Sequence, residues 1–354
     1  MTGPAEFCLA LECCRYGFKG SDSCCDILDA EVDWHQFLRL VRYHRIEGLA
    51  WNRLASLPIP IANTMKDAAS AVAAQNLQAI AESWQLLNRF EAAKVRLLFL
   101  KGLTLGALAY GNPALKQSVD IDVLIRPENL AEAARLLREC GYRLVLPLSG
   151  KRLHPWHRTR KESVWVKDGS SLHLDLHTRT ADNWQLIPSI TAASASREVE
   201  ISDGVALPTL TDDDLFAYLA VHGASSAWFR LKWIADFAGL VHEKASTEIE
   251  RLYRRSQELR AGRAAGQALL LADALFGTLK GNPDLRQELG HDPATRLLFR
   301  AALRQVSGDA VGPTDRRFGT IAIHWTQFLL LPGLHYKWSE LVGQPSRALA
   351  RSRF

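Results

Sequence analysis

Long apolar runs are missing: no stretch of these 354 residues approaches the roughly 18 uninterrupted apolar positions that a spanning helix needs. The nearest, 319–336, is interrupted by His324, Gln327, Pro332 and Gly333 and is expected to be a buried helix. A basic segment followed by an apolar one is missing from the N-terminus, so no signal peptide is expected and the location reads as cytoplasmic. Zinc-knuckle spacing is missing too. Five of the six cysteines crowd the start, as Cys8, Cys13-Cys14 and Cys24-Cys25, but adjacent pairs are not Cys-x-x-Cys and no suitable His pattern accompanies them. They read as free thiols of a reducing compartment. Charge is nearly balanced, and a net +5 permits an anionic partner such as a nucleotide without indicating nucleic acid. No internal repeat or low-complexity tract stands out.

What is present is an ordinary globular balance, nearly half apolar and about a quarter charged, over a length that supports a sizeable core and more than one domain. Residues 1–95 read as a helical region. Asp33 caps a helix predicted over 32–55 from the helical spacing of Trp34, Phe37, Leu38 and Val41. His44 and Arg45 on it read as a surface or capping cluster. A Pro-punctuated linker, 57–63, leads into a long helix over 65–95. Residues 209–354 read as a second helical region. It opens with Thr211 as N-cap and Asp212, Asp213 and Asp214 in the first turn, so this acid run is a helix start and not a metal site. The Arg-rich stretch 251–277 is expected to be helical with its arginines on the surface, and the basic tail 346–354 to be mobile.

Residues 96–208 carry the chemistry. Leu97 to Leu100 is a short strand ended by Lys101-Gly102, and Leu103 to Tyr110 recurs at helical spacing until Gly111-Asn112-Pro113 stops it. Val119 to Ile125 alternates with period two, which puts Asp120 and Asp122 on one face and Val119, Ile121 and Val123 on the other. Two close carboxylates repel, and a divalent cation removes the conflict; hard oxygen ligands suit Mg²⁺ or Mn²⁺. A helix over 127–142 follows, started by Pro127 and ended by Gly141. Then come a strand from Arg143, a basic and aromatic loop (150–161), and a hairpin of Ser163–Val166 with Leu172–His177. In the last strand His173, Asp175 and His177 share a face, which makes Asp175 the third carboxylate beside Asp120 and Asp122.

That ordered set resembles the nucleotidyltransferase fold of the DNA polymerase β superfamily, and more narrowly a family of largely uncharacterised bacterial nucleotidyltransferases. The matching residues are Lys101-Gly102, Lys116, Asp120-Ile121-Asp122 and 171–179, with 34–54 and 211–240 in the wider match. Where the superfamily often has Gly-Ser after its first strand, this chain has Lys101-Gly102-Leu103-Thr104. The resemblance implies an α+β fold, with a mixed β-sheet core and helices flanked by N-terminal and C-terminal helical regions (1–95, 96–208 and 209–354). It implies metal-dependent transfer of a nucleoside monophosphate from a nucleoside triphosphate, with ATP the expected donor. The acceptor would be a hydroxyl or similar group on an unidentified small molecule, peptide or sugar. Asp120 and Asp122 would hold Mg²⁺ or Mn²⁺, and Asp175 would bind the metal nearest the acceptor and help deprotonate its hydroxyl.

Gly102 would let the backbone approach phosphate oxygens at a helix N-terminus, with Lys101, Thr104 and Lys116 adding charge or a hydroxyl. His177 orients a carboxylate, contacts substrate or is structural. Lys232, with His222, Arg230 and Asp236, either lines the nucleotide cleft or locks helices together; Lys232 and Asp236 also have the four-residue spacing of a helix-surface pair. Only 150–161 hints at a basic groove with aromatics, so nucleic acid is not the expected partner. The other reading is a noncatalytic nucleotide-binding or scaffold module. Replacing Asp120 or Asp122 by Asn is expected to abolish turnover and leave the fold intact.

Overall fold

The computed structural model describes residues 4–21, 31–147, 149–170, 172–308 and 321–351. Four helices precede the sheet: α1 (Ala5–Tyr16), α2 (Trp34–His44), α3 (Glu47–Leu54) and α4 (Ala62–Ala92). The Asp33 side chain caps α2, accepting the His35 and Gln36 N–H groups at 2.9 Å. The single helix predicted over 32–55 is two, because Arg45 takes a left-handed conformation (φ 56°) and redirects the chain. That turn buries His44 where a surface position was expected, and its Nδ1 accepts the Leu231 N–H at 3.0 Å. Burial, with Arg230 adding to it, pushes the His44 pKa down to about 3.

The sheet segment runs β1 (Leu98–Phe99), α5 (Leu103–Tyr110), β2 (Asp120–Leu124), α6 (Leu130–Glu139), β3 (Tyr142–Leu146), α7 (Leu153–Thr159), β4 (Glu162–Lys167) and β5 (His173–His177). The spatial order is β1-β2-β5-β4-β3, with β2 and β5 parallel and the other neighbours antiparallel. The stretch expected to be a loop at 150–161 contains α7, since Pro155 sits in its first turn, where no N–H is needed. Ile121, Val123, Leu174, Leu176 and Trp165 pack with Leu86 and Phe90 of α4 and Ala133 and Leu137 of α6 in one core. A hairpin not foreseen from the sequence, β6 (Ser196–Ser202) and β7 (Val205–Leu210), joins that core through Val199, Ile201 and Leu207. It lies beside the short strand β1, where the Thr209 hydroxyl donates to the Phe99 carbonyl at 2.6 Å.

The C-terminal helices are α8 (Asp212–Ser225), α9 (Leu231–His242), α10 (Ser246–Glu258), α11 (Gly262–Phe276), α12 (Pro283–His291), α13 (Pro293–Val306), α14 (Ile321–Gln327) and α15 (Leu334–Arg351). Helices α8 to α13, with Leu330, Leu331 and Tyr336, share a second core with α1, α2 and α3, which Leu98, Leu100 and Leu124 of the sheet region enter. Cys13 and Cys14 are packing residues of this core, and burial pushes the Cys13 thiol up to about 12. Cys13, Cys14 and Cys140 are free thiols, while the Cys24-Cys25 pair lies outside the described residues. The Arg-rich stretch is split at Arg260 (φ 63°), and Arg251, Arg254 and Arg255 sit on the surface in ion pairs.

The stretch read as one buried helix is broken at Pro332-Gly333 into α14 and α15, and 319–320 lie outside the described residues. The tail expected to be mobile continues α15 to Arg351, and 352–354 lie outside the described residues. No helix among the described residues is long and apolar enough to cross a membrane.

Helices α5 and α9 meet backbone to backbone. A Cβ on Gly239 would lie 2.9 Å from the Ala109 carbonyl oxygen and 3.0 Å from the Ala109 Cβ. Because Gly102 opens α5, this contact also fixes where that helix points its first turn. Gly239→Ala is expected to destabilise the fold by roughly 1–3 kcal/mol through overpacking, read as a lower urea midpoint at unchanged m-value. An unchanged midpoint would mean that the two helices separate without cost.

Candidate active site

Strands β2 and β5 run parallel with Asp122 opposite Asp175 and Leu124 opposite His177. The apolar alternates are held in the core beneath, so the acids and His177 leave on the other face. Asp122, Asp175 and His177 offer ligand atoms that all lie within 4.8 Å of one another. Asp120 is not in that close group, and its side chain is more exposed than that of Asp122, 30% against 2%.

Asp122 is the anchor. Its Oδ1 lies 3.1 Å from His177 Nε2 and its Oδ2 2.6 Å from Lys101 Nζ, which reaches Asp120 Oδ2 at 3.4 Å. Burial opposes charge on Asp122, but the Lys101 ammonium and the His177 hydrogen bond outweigh it and hold the carboxyl well below the usual range. Asp175 goes the other way: burial, then the negative charges of Glu162, Asp122 and Asp120, push its carboxyl up. Glu162, which the sequence reading did not single out, sits opposite His177 on β4. Its Oε2 is 3.4 Å from His177 Nε2 and 2.6 Å from Lys161 Nζ. Alternation in 162–167 carries the signal for it, since Trp165 belongs to the core and Glu162 must therefore face the other way. Two carboxylates and an imidazole drawn together, one carboxyl raised by burial and then by crowding of negative charge, form a donor set that fits a divalent cation.

Two cavities flank this group and share Lys101, Asp120 and His222 in their walls. The larger, about 410 Å³, is bounded by Asp122, Asp175 and Glu162 of the sheet and Val221 and His222 of α8, and it takes in Trp156 and Arg160. The smaller, about 140 Å³, is lined by Arg45, Lys101, Gly102, Lys116 and Lys232 around the start of α5. Gly102 has φ 72° and ψ −121°, and a Cβ there would find its nearest neighbour at 3.5 Å. Backbone conformation, not crowding, is what asks for glycine. The first turn of α5 leaves N–H groups without intrahelical acceptors, a setting that favours an anion.

Behind the small cavity, Lys116 Nζ lies 3.2 Å from Asp236 Oδ2, and the Tyr110 hydroxyl donates to Asp236 Oδ1 at 2.8 Å. All three residues are buried, so Asp236 joins α9 to the loop before β2 and does not form a helix-surface pair with Lys232. Lys232 instead lines the small cavity, where burial, helped by Lys116, lowers its pKa to about 7. Asn76 of α4, also unforeseen, holds the turn ahead of β2 by donating to the Pro113, Ala114 and Lys116 carbonyls at 3.1, 3.2 and 2.8 Å. Thr104 is buried with its hydroxyl donating to the Lys101 carbonyl at 3.4 Å, and it lines neither cavity.

A family model described as an uncharacterised nucleotidyltransferase matches residues 30–277. The chain belongs to that family. No curated protein matches it. The matched span contains the site from Arg45 to Asp236, together with the mixed α+β core, and leaves α12 to α15 outside. As a member of this nucleotidyltransferase family the protein is a transferase, and Asp122, Asp175 and His177 form a group that could hold a metal.

Proposed function

We propose that this nucleotidyltransferase works as its resemblance to the bacterial polymerase β-like enzymes implies. It transfers a nucleoside monophosphate from a nucleoside triphosphate, ATP by preference, to a hydroxyl of a small molecule, peptide or sugar in the cytoplasm. The observation that carries this reading is Lys101, which pairs with Asp122 of the close Asp122–Asp175–His177 group at 2.6 Å and also lines the cavity at the start of α5, together with Arg45, Lys116 and Lys232. Mg²⁺ or Mn²⁺ would be held by Asp122, Asp175 and His177 with Asp120 at the margin, and it supplies charge neutralisation for the triphosphate and the departing pyrophosphate.

The chain's own residues do the rest. Gly102 and the first turn of α5 receive phosphate oxygens, and Arg45 and Lys232 add positive charge. Lys116, tied to Asp236, contributes its field from the back of the cavity. Lys101 stands between the carboxylates and the phosphate cavity, within reach of both anions. The acceptor occupies the larger cavity, where its hydroxyl oxygen bonds to the α-phosphorus as the bond to the pyrophosphate oxygen breaks. Asp175 accepts the hydroxyl's proton, and the electron pair stays on the attacking oxygen.

The test is a thermal titration with ATP, GTP, CTP and UTP, each with and without Mg²⁺, on wild type and Asp122→Asn. A ligand at about 100 times its Kd stabilises by about 2.7 kcal/mol, a shift of a few degrees for a chain of this size. The expected result is a metal-dependent rise for one nucleotide that the variant lacks. A rise indifferent to metal would favour the noncatalytic nucleotide-binding module, and no rise with any nucleotide would overturn the reading.

A further inference from the structure

Half of the large apolar side chains exposed among the described residues fall on one short stretch. Trp325, Leu334, Trp338, Leu341 and Val342 are 50%, 84%, 66%, 54% and 61% exposed, and the other five such residues are scattered from Tyr16 to Leu297. Helix α15 rests on the protein by its opposite side. Tyr336 and Glu340 are buried there: the Tyr336 hydroxyl donates to the Gln327 carbonyl at 2.9 Å, and Asn183 Nδ2 donates to Glu340 Oε1 at 3.1 Å. Gln185 Nε2 adds a bond to Ser339 Oγ at 2.9 Å. Positions 334, 338, 341 and 342 fall on one helical stripe, and that stripe is turned outward. An apolar stripe facing away from the protein marks a contact surface.

The charges of the same segment select what covers it. Residues 334–354 hold Lys337, Arg347, Arg351 and Arg353 against one acid, Glu340, which is buried and bonded to Asn183. An anionic leaflet offers the opposite charge and an interfacial layer that suits Trp side chains. We propose that the α14–α15 face docks the protein on an anionic lipid bilayer, lying on the surface without crossing it. The face adjoins the larger cavity: Gln327 Nε2 donates to the carbonyl of Ser225, a lining residue, at 2.6 Å, and Asn183 directly follows the lining residues Thr180, Ala181 and Asp182. Docking therefore holds that wall of the cavity close to the bilayer. The whole face lies beyond the span matched by the family model.

Sedimentation of the full chain with vesicles tests it, using phosphatidylcholine alone and phosphatidylcholine mixed with phosphatidylglycerol. About tenfold more protein should sediment with the mixed vesicles than with the neutral ones, and added salt should weaken the difference. Trp338→Glu with Leu341→Glu should abolish sedimentation with an unchanged melting temperature, since both residues are exposed. Arg347→Glu with Arg351→Glu keeps the apolar stripe and should lose the preference for anionic vesicles. Equal binding to both vesicle types, or binding to neither, overturns the proposal. So does a wild-type dimer in light scattering that the Trp338→Glu, Leu341→Glu variant converts to monomer, which would give the face to a second copy.

Discussion

Asp122→Asn should lose turnover by at least about a thousandfold, roughly 4 kcal/mol of barrier, and should also destabilise the protein in a chelating buffer. The first effect follows from the close group, which keeps only one of its two carboxylates in the variant. The second departs from the expectation that removing one of several like charges leaves the fold alone. Asp122 is not simply a repelled acid: its two oxygens are engaged by buried His177 at 3.1 Å and by Lys101 at 2.6 Å. Breaking a buried ion pair by deleting one partner costs roughly 3–5 kcal/mol. Asp120 stays 3.4 Å from Lys101 Nζ, so the lower end of that range is expected.

The pH dependence has a definite sign. Although burial opposes it, Lys101 and His177 hold the Asp122 carboxyl below its unfolded value. The stability it contributes is therefore complete above the unfolded carboxylate value of about 4 and is lost as the pH falls through the folded one. Urea midpoints in EDTA should differ most near neutral pH and converge in acid. If Asp122→Asn were as stable as wild type at neutral pH and turned over normally, Asp122 would have no place in the site.

Local pattern was enough for part of this arrangement. A strand with one buried face has a single acceptable orientation, so period-two alternation placed Asp120 with Asp122 and Asp175 with His177. Pairing between the two strands is not local. Nothing within 119–125 or 172–177 sets Asp122, and not Asp120, opposite Asp175, and that register decides which residues form the close group. The same limit explains Asp236. Its four-residue spacing from Lys232 is visible in the sequence, whereas its partners Lys116 and Tyr110 become neighbours only when α9 packs on α5. His44 was misplaced because the left-handed turn at Arg45 falls inside a continuous helical pattern. The β6–β7 hairpin does carry a local signal: Val199 and Ile201 alternate up to Asp203-Gly204, a hairpin turn pair, with Gly204 at φ 72°.

Lys232→Met should separate stability from nucleotide affinity. Burial, then the neighbouring Lys116 charge, lowers the Lys232 pKa from 10.5 to about 7, a penalty of a few kcal/mol for keeping the ammonium there. In the unfolded chain Lys232 stays protonated up to its ordinary value, so between about pH 7 and 10 the unfolded state binds more protons. Stability then rises with pH across that window, and the full penalty applies below it. Methionine keeps the aliphatic bulk and removes the charge. The nucleotide-free variant should unfold at higher urea than wild type near pH 6–7, and the gain should shrink towards pH 10. With triphosphate and Mg²⁺ that gain should narrow, because a charge-assisted contact of about 1.5–3 kcal/mol is missing, a loss of roughly tenfold or more in Kd. Lower stability of the nucleotide-free variant at the acid end of that range would show that the ammonium holds the helices together, through contacts such as its donation to the Gln117 carbonyl at 3.5 Å, and is not stored there for an anion.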